Sequence, residues 1–120
     1  MNTSQLQCML SAHPLSKHFK VIAVDQLPRI IHHYPMGYIV NTEESHLPGK
    51  HWIAFWFESP THGEFFDSYG HGPAFYRKEF KETLIHNVRQ YIYNNVVLQS
   101  SGSRACGLYA LLYLRSEERR

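Results

Sequence analysis

At 120 residues the chain is long enough for one domain and one core; a chain of this size buries about 65% of its unfolded surface. Apolar residues make up 43% and charged residues 18%, an ordinary globular balance. The net charge of +2 is too small to argue for nucleic acid or an acidic partner, and no run of about 20 apolar residues exists to span a membrane. The first residues lack the basic and apolar regions of a signal peptide. Two cysteines, Cys8 and Cys106, cannot build a disulfide framework, which points to a reducing, intracellular setting in cytoplasm or nucleus.

The elements follow in chain order. Residues 4 to 11 read as a short helix before Pro14. Lys20 to Val24 is a β-branched run and reads as a buried strand. Asp25 is placed to cap a short helix through His33, with Pro28 in its first turns. Tyr38 to Asn41 reads as a second strand, and Thr42 to Lys50, with Pro48-Gly49, as a loop. His51 to Glu58 is aromatic and β-branched, as a central strand would be. Ser59 to Gly63 turns the chain into a strand over Glu64 to Asp67. Gly70, Gly72 and Pro73 make the next segment a loop. Phe80, Leu84, Val88 and Tyr91 recur near every 3.6 residues, which predicts an amphipathic helix over Tyr76 to Tyr91. Val96 to Gln99 reads as a short strand and Cys106 to Leu114 as an apolar helix. With no repeat and no linker, these elements predict a single α+β domain over residues 1–120. Its small mixed or antiparallel sheet packs on a central helix that begins at Cys106.

Cys106 carries the chemistry. A thiol attacks only as thiolate, and a helix N-terminus lowers a cysteine pKa through its unpaired N–H groups and macrodipole. Small residues before Cys106 and Gly107 after it leave room for a substrate backbone. The plain alternative is an inert core cysteine. His51 opens the aromatic strand, where a general base is held firmly and still reaches a cleft. His62, His71, His86 and the His32-His33 pair carry no such context among the nine histidines. Asp67 ends the following strand; in a hairpin it falls near His51 and can orient the imidazole. An Asx-turn or a helix cap is its plain alternative, and Glu64 and Glu58 are weaker candidates for the same role. Gln99 stands seven residues before Cys106, placed to add a side-chain donor to an oxyanion hole. No zinc spacing and no phosphate-binding loop is present, so neither metal nor other cofactor is expected.

Four segments in this order resemble one family. They are Pro48-Gly49-Lys50-His51-Trp52-Ile53-Ala54, Phe66-Asp67-Ser68-Tyr69-Gly70, Gln99, and Ala105-Cys106-Gly107-Leu108-Tyr109. With Phe19 to Pro28 and Tyr38 to Thr42, they resemble the adenain-like (adenovirus-type) cysteine proteases, as carried by virus-like DNA transposons. That family is related in fold to the SUMO/ubiquitin-like-specific proteases. The resemblance implies a papain-like fold with Cys106 as nucleophile, His51 as base, Asp67 as orienting acid and Gln99 as oxyanion donor. It places Trp52 beside the histidine and, with Gly107, against substrate. It implies endopeptidase action through a thioester acyl-enzyme on viral or transposon precursor proteins at glycine-rich sites.

Two departures qualify it. Only fourteen residues follow Cys106, where the adenoviral type continues through further helices, so a C-terminally shortened domain is expected. No cysteine lies between Cys8 and Cys106, so activation through a disulfide-linked peptide does not carry over. Two other functions stay open: an inactive remnant that binds a protein or peptide partner, and a deconjugating protease for SUMO- or ubiquitin-like modifiers. A histidine-rich metal-binding module is the weakest reading.

Overall fold

Eight residues, Trp52–Ser59, form the central strand of the fold, and the first six of them are buried. A strand with both faces covered has no use for polar alternation, and Trp-Ile-Ala-Phe-Trp-Phe obeys that rule. The computed structural model describes Gln5, Cys8 and residues 18–43, 51–94 and 106–118, with the side chains of the last segment described over 109–117. The short helix expected over 4–11 and the strand expected over Val96 to Gln99 lie wholly or mostly outside the described residues.

In chain order the elements are β1 (Phe19–Ala23), a 3₁₀ turn (Val24–Gln26), β2 (Met36–Asn41), β3 (Trp52–Ser59), β4 (His62–Phe66), α1 (Lys78–Asn87), β5 (Gln90–Tyr93) and α2 (Cys106–Glu118). The five strands form one mixed sheet in the order β1-β2-β3-β4-β5. The two outer pairs are parallel and the two inner ones antiparallel. The expected α+β class with a small mixed sheet is therefore what forms.

Successive β3 residues point to opposite faces, and each face is covered differently. Trp52, Ala54 and Trp56 join Phe19, Val21, Ile39 and Phe66 beneath Ala110, Leu111 and Leu114 of α2. Ile53, Phe55 and Phe57 pack with Val40, Phe65 and, from α1, Phe80 and Leu84. Phe55 meets Phe65 and Phe80 edge-on at centroid distances of 5.2 and 5.5 Å, within the range that aromatic pairs favour.

Three expectations need correction. The helix expected from Asp25 through His33 is a 3₁₀ turn of three residues. Leu27 is already extended, at φ −65° and ψ 121°, as the residue before a proline tends to be. The segment beyond it is pinned from α1 by side chains. Asn87 accepts from the Ile31 N–H at 2.7 Å and donates to the Arg29 carbonyl at 2.8 Å, and the Thr83 hydroxyl donates to the Pro28 carbonyl at 3.0 Å. Second, the helix expected to run to Tyr91 stops at Asn87, where Val88 turns extended. The Arg89 and Gln90 N–H groups then bond the Pro60 and Thr61 carbonyls, drawing Tyr91 into β5. Third, α2 continues past Leu114 to Glu118.

Candidate active site

His51 and Asp67 meet because β3 and β4 are an antiparallel hairpin. Ala54 faces Phe66, so the residue before β3 and the residue after β4 lie at the same end of the sheet. The His51 Nε2 lies 2.7 Å from Asp67 Oδ1. The histidine side chain is 8% exposed and the carboxylate 0%. The His51 backbone is fixed as well: its carbonyl accepts from the Thr42 N–H at 2.9 Å, which ties it to the end of β2.

Asp67 is held on every side. Oδ1 also accepts the Tyr69 N–H at 3.0 Å, an Asx-turn, and the Gly70 N–H bonds the Asp67 carbonyl at 2.8 Å. Gly70 takes φ 81°, a conformation that glycine enters without the Cβ penalty. The chain turns back there. Oδ2 then accepts the Tyr76 hydroxyl at 2.8 Å and the His71 N–H at 3.2 Å, with His71 Nδ1 also 3.2 Å away. At the end of β5, Asn94 bonds the Asp67 backbone twice: it accepts the Asp67 N–H at 3.0 Å and donates to its carbonyl. The Asx-turn and the pairing with His51 thus coexist.

Burial works to raise the Asp67 pKa. Hydrogen bonds from His51, the Tyr69 N–H and the Tyr76 hydroxyl, with the charge of His51, outweigh it and hold the carboxyl below its ordinary value. The His51 ring stacks on Tyr69 at 4.7 Å and leans on Tyr76 at 5.3 Å.

The other candidates fall as follows. Cys106 and Gly107 open α2, in its first turn. Gln99 lies outside the described residues. Trp52, the residue after His51, is 5% exposed and sits in the core under α2. Glu64 turns away from His51 to His62, at 2.9 Å, and to the Tyr113 hydroxyl. Glu58 is exposed, as are His32, His33 and His86. Cys8 is exposed and forms no disulfide. Among the described residues no group of three or more His, Cys, Asp or Glu is arranged to hold a metal ion, and no helix is long and apolar enough to cross a membrane.

Sequence reasoning missed Tyr69, His71, Tyr76 and Asn94. The sole signal for the first three was the Gly70-His71-Gly72 segment, whose reversal brings the chain after Asp67 back onto its carboxylate. No family model and no curated protein matches the sequence.

Proposed function

We propose that the chain is a thiol hydrolase, a cysteine endopeptidase of adenain-like, papain-related architecture. The observation that carries it is the buried His51–Asp67 pair at one end of the sheet, with α2, the helix opened by Cys106, packed on the same sheet. Three sets of contacts seat the helix on the sheet. Leu114 lies over Gly37, which pairs with Trp56. Tyr113 stacks on Phe66 at 4.6 Å. Ala110 and Leu111, one turn earlier, are buried in the same cluster as Trp52, Ala54 and Trp56. Eight helical residues back from Leu114 span about 12 Å, and four strand residues from Trp56 to Trp52 span about 13 Å. In this reading the first turn of α2 comes level with the start of β3, beside His51.

The roles follow from chemistry. His51 gives Nε2 to Asp67, so proton exchange with a thiol goes through Nδ1. His51 takes the Cys106 proton, and the α2 N-terminus favours the thiolate. The thiolate adds to the scissile carbonyl, and the oxyanion is met by N–H donors that include Gln99 in this reading. His51 returns the proton to the leaving amine as the carbonyl re-forms to give a thioester. It then takes a proton from water, which attacks the thioester and releases Cys106. Asp67, ionised throughout, holds the ring and stabilises its charged form.

Precursor proteins cleaved at glycine-rich sites are the substrates we favour, in a reducing compartment that keeps both thiols free. Fluorogenic peptides with glycine at the cleavage site provide the test. Cys106→Ala and His51→Ala should each remove turnover and leave the circular dichroism spectrum unchanged. Iodoacetamide should label Cys106 at neutral pH faster than a model thiol; labelling at the model rate would count against an activated nucleophile. Cleavage of a folded ubiquitin-like precursor, but not of the peptides, would move the assignment to the deconjugating class.

A further inference from the structure

We propose that Tyr76 is a positioning residue for the reaction, holding the imidazole through both its hydroxyl and its ring. The hydroxyl donates to Asp67 Oδ2 at 2.8 Å, on the carboxylate oxygen opposite the one that meets His51. The ring lies 5.3 Å from the His51 ring, tilted by 40°. A carboxylate held on one oxygen can swing about its Cβ–Cγ bond; held on both, it presents Oδ1 to His51 in a single orientation. Tyr76 thus makes the shortest of the bonds that hold Oδ2, at 2.8 Å against 3.2 Å for His71, and flanks the ring that must aim Nδ1 at a thiol. It stands just before α1, in a stretch whose last residue, Arg77, donates from Nε to the Thr42 carbonyl at 3.0 Å. Thr42 in turn bonds the His51 backbone. The segment that carries the tyrosine is thus referenced to the same strand end as the histidine. His71 reaches the same Oδ2 at 3.2 Å through both its N–H and Nδ1, but its side chain is 39% exposed and does not touch the His51 ring in the way Tyr76 does. The kinetic consequence rests on the thiol-hydrolase reading; the geometric one does not.

Two measurements on Tyr76→Phe, which keeps the ring and drops the hydroxyl, test this. The first is long-range ¹H–¹⁵N NMR of the His51 ring in a Cys106→Ala background at about pH 9, above the ordinary imidazole range. With Tyr76 present, His51 should be the Nε2–H tautomer, its proton directed at Asp67. Tyr76→Phe should shift both nitrogens toward an unbiased tautomer mixture. The second is turnover of the glycine-site peptides in the Cys106 form. There kcat should fall about 10- to 100-fold, the scale of one hydrogen bond to a charged group, with KM unchanged. Tyr34→Phe is the matched control. It loses a hydroxyl bond to the Asn87 carbonyl of 2.7 Å, away from the site, so it should lower Tm and leave both readouts alone. Unchanged ring-nitrogen shifts in Tyr76→Phe overturn the proposal whatever the kinetics. Shifted nitrogens with unchanged kcat overturn it too, because positioning must reach the reaction. A parent protein with no Cys106-dependent turnover, but with nitrogens that shift in Tyr76→Phe, sinks the hydrolase reading and upholds the role of Tyr76.

Discussion

Asp67 is the most constrained polar residue of the site, and its constraints dictate how the protein should respond to pH. Its carboxylate is fully buried and meets donors on both oxygens. In Asp67→Asn one of those oxygens becomes an NH₂ group that faces donors with another donor. Leaving buried donors unmatched and His51 without its counter-charge should cost about 3 kcal/mol at neutral pH, measurable by urea denaturation. The folded state holds the Asp67 pKa below its ordinary value, so the carboxylate stabilises the fold fully above the unfolded value of about 4. That contribution is lost as pH falls through the folded value. The gap between the parent protein and Asp67→Asn should accordingly be widest above about pH 5 and narrow as pH falls below the unfolded value. A gap that stays constant across that range would mean that the carboxylate charge is not what the site stabilises.

At the scale of elements, the seat of α2 on the sheet decides whether a helix opened by Cys106 can serve the pair at all. At Gly37 the two pack tightly: a Cβ built there would lie 3.0 Å from Phe19 Cδ1 and 3.1 Å from Leu114 Cδ1. Gly37→Ala should therefore destabilise by overpacking, about 1–3 kcal/mol, and Leu114→Ala by cavity formation, about 3 kcal/mol. The double variant should cost less than the sum, because the lost leucine branch opens the space that the added methyl needs. Additive costs in the denaturation midpoints would show that the helix does not sit on Gly37. The hairpin that unites His51 and Asp67 was legible in the sequence because an aromatic, β-branched run, a short turn and a second run leave little choice of register. The end of α1 was not. Phe80, Leu84, Val88 and Tyr91 keep helical spacing, and Val88 and Tyr91 do pack on the same core as Phe80 and Leu84. They reach it from extended backbone, because hydrogen bonds from Arg89 and Gln90 to the Pro60–Thr61 turn reward leaving the helix. Spacing reports which residues face the core, and several backbone paths can satisfy it. Tyr76 was invisible for a related reason: its contact with Asp67 is made by a reversal at Gly70, and no periodicity encodes a reversal.

On the scale of the whole molecule, one sheet separates two cores that share β3. Trp52 and Trp56, the two tryptophans of the chain, both report on the α2 face; Phe80 lies in the core of the α1 face. Since every second residue of β3 belongs to one core and its neighbours to the other, losing either core unpins the strand on which the other is built. A domain of this size has a total stability of about 5–15 kcal/mol, so neither face can melt and leave the other with enough burial to persist. Phe80→Ala removes a fully buried ring that packs against Phe55 and Phe65 and should cost about 3–5 kcal/mol. Its effect should appear on the far face: tryptophan fluorescence and far-UV circular dichroism should lose their signals in one coincident transition, shifted down by the same amount. Leu114→Ala, on the opposite face, should move that same single transition. A tryptophan signal that outlasts the loss of helix and strand in Phe80→Ala would mean that the α2 face, with Trp52, Trp56 and the helix opened by Cys106, is stable by itself. The seat of α2 would then owe nothing to α1.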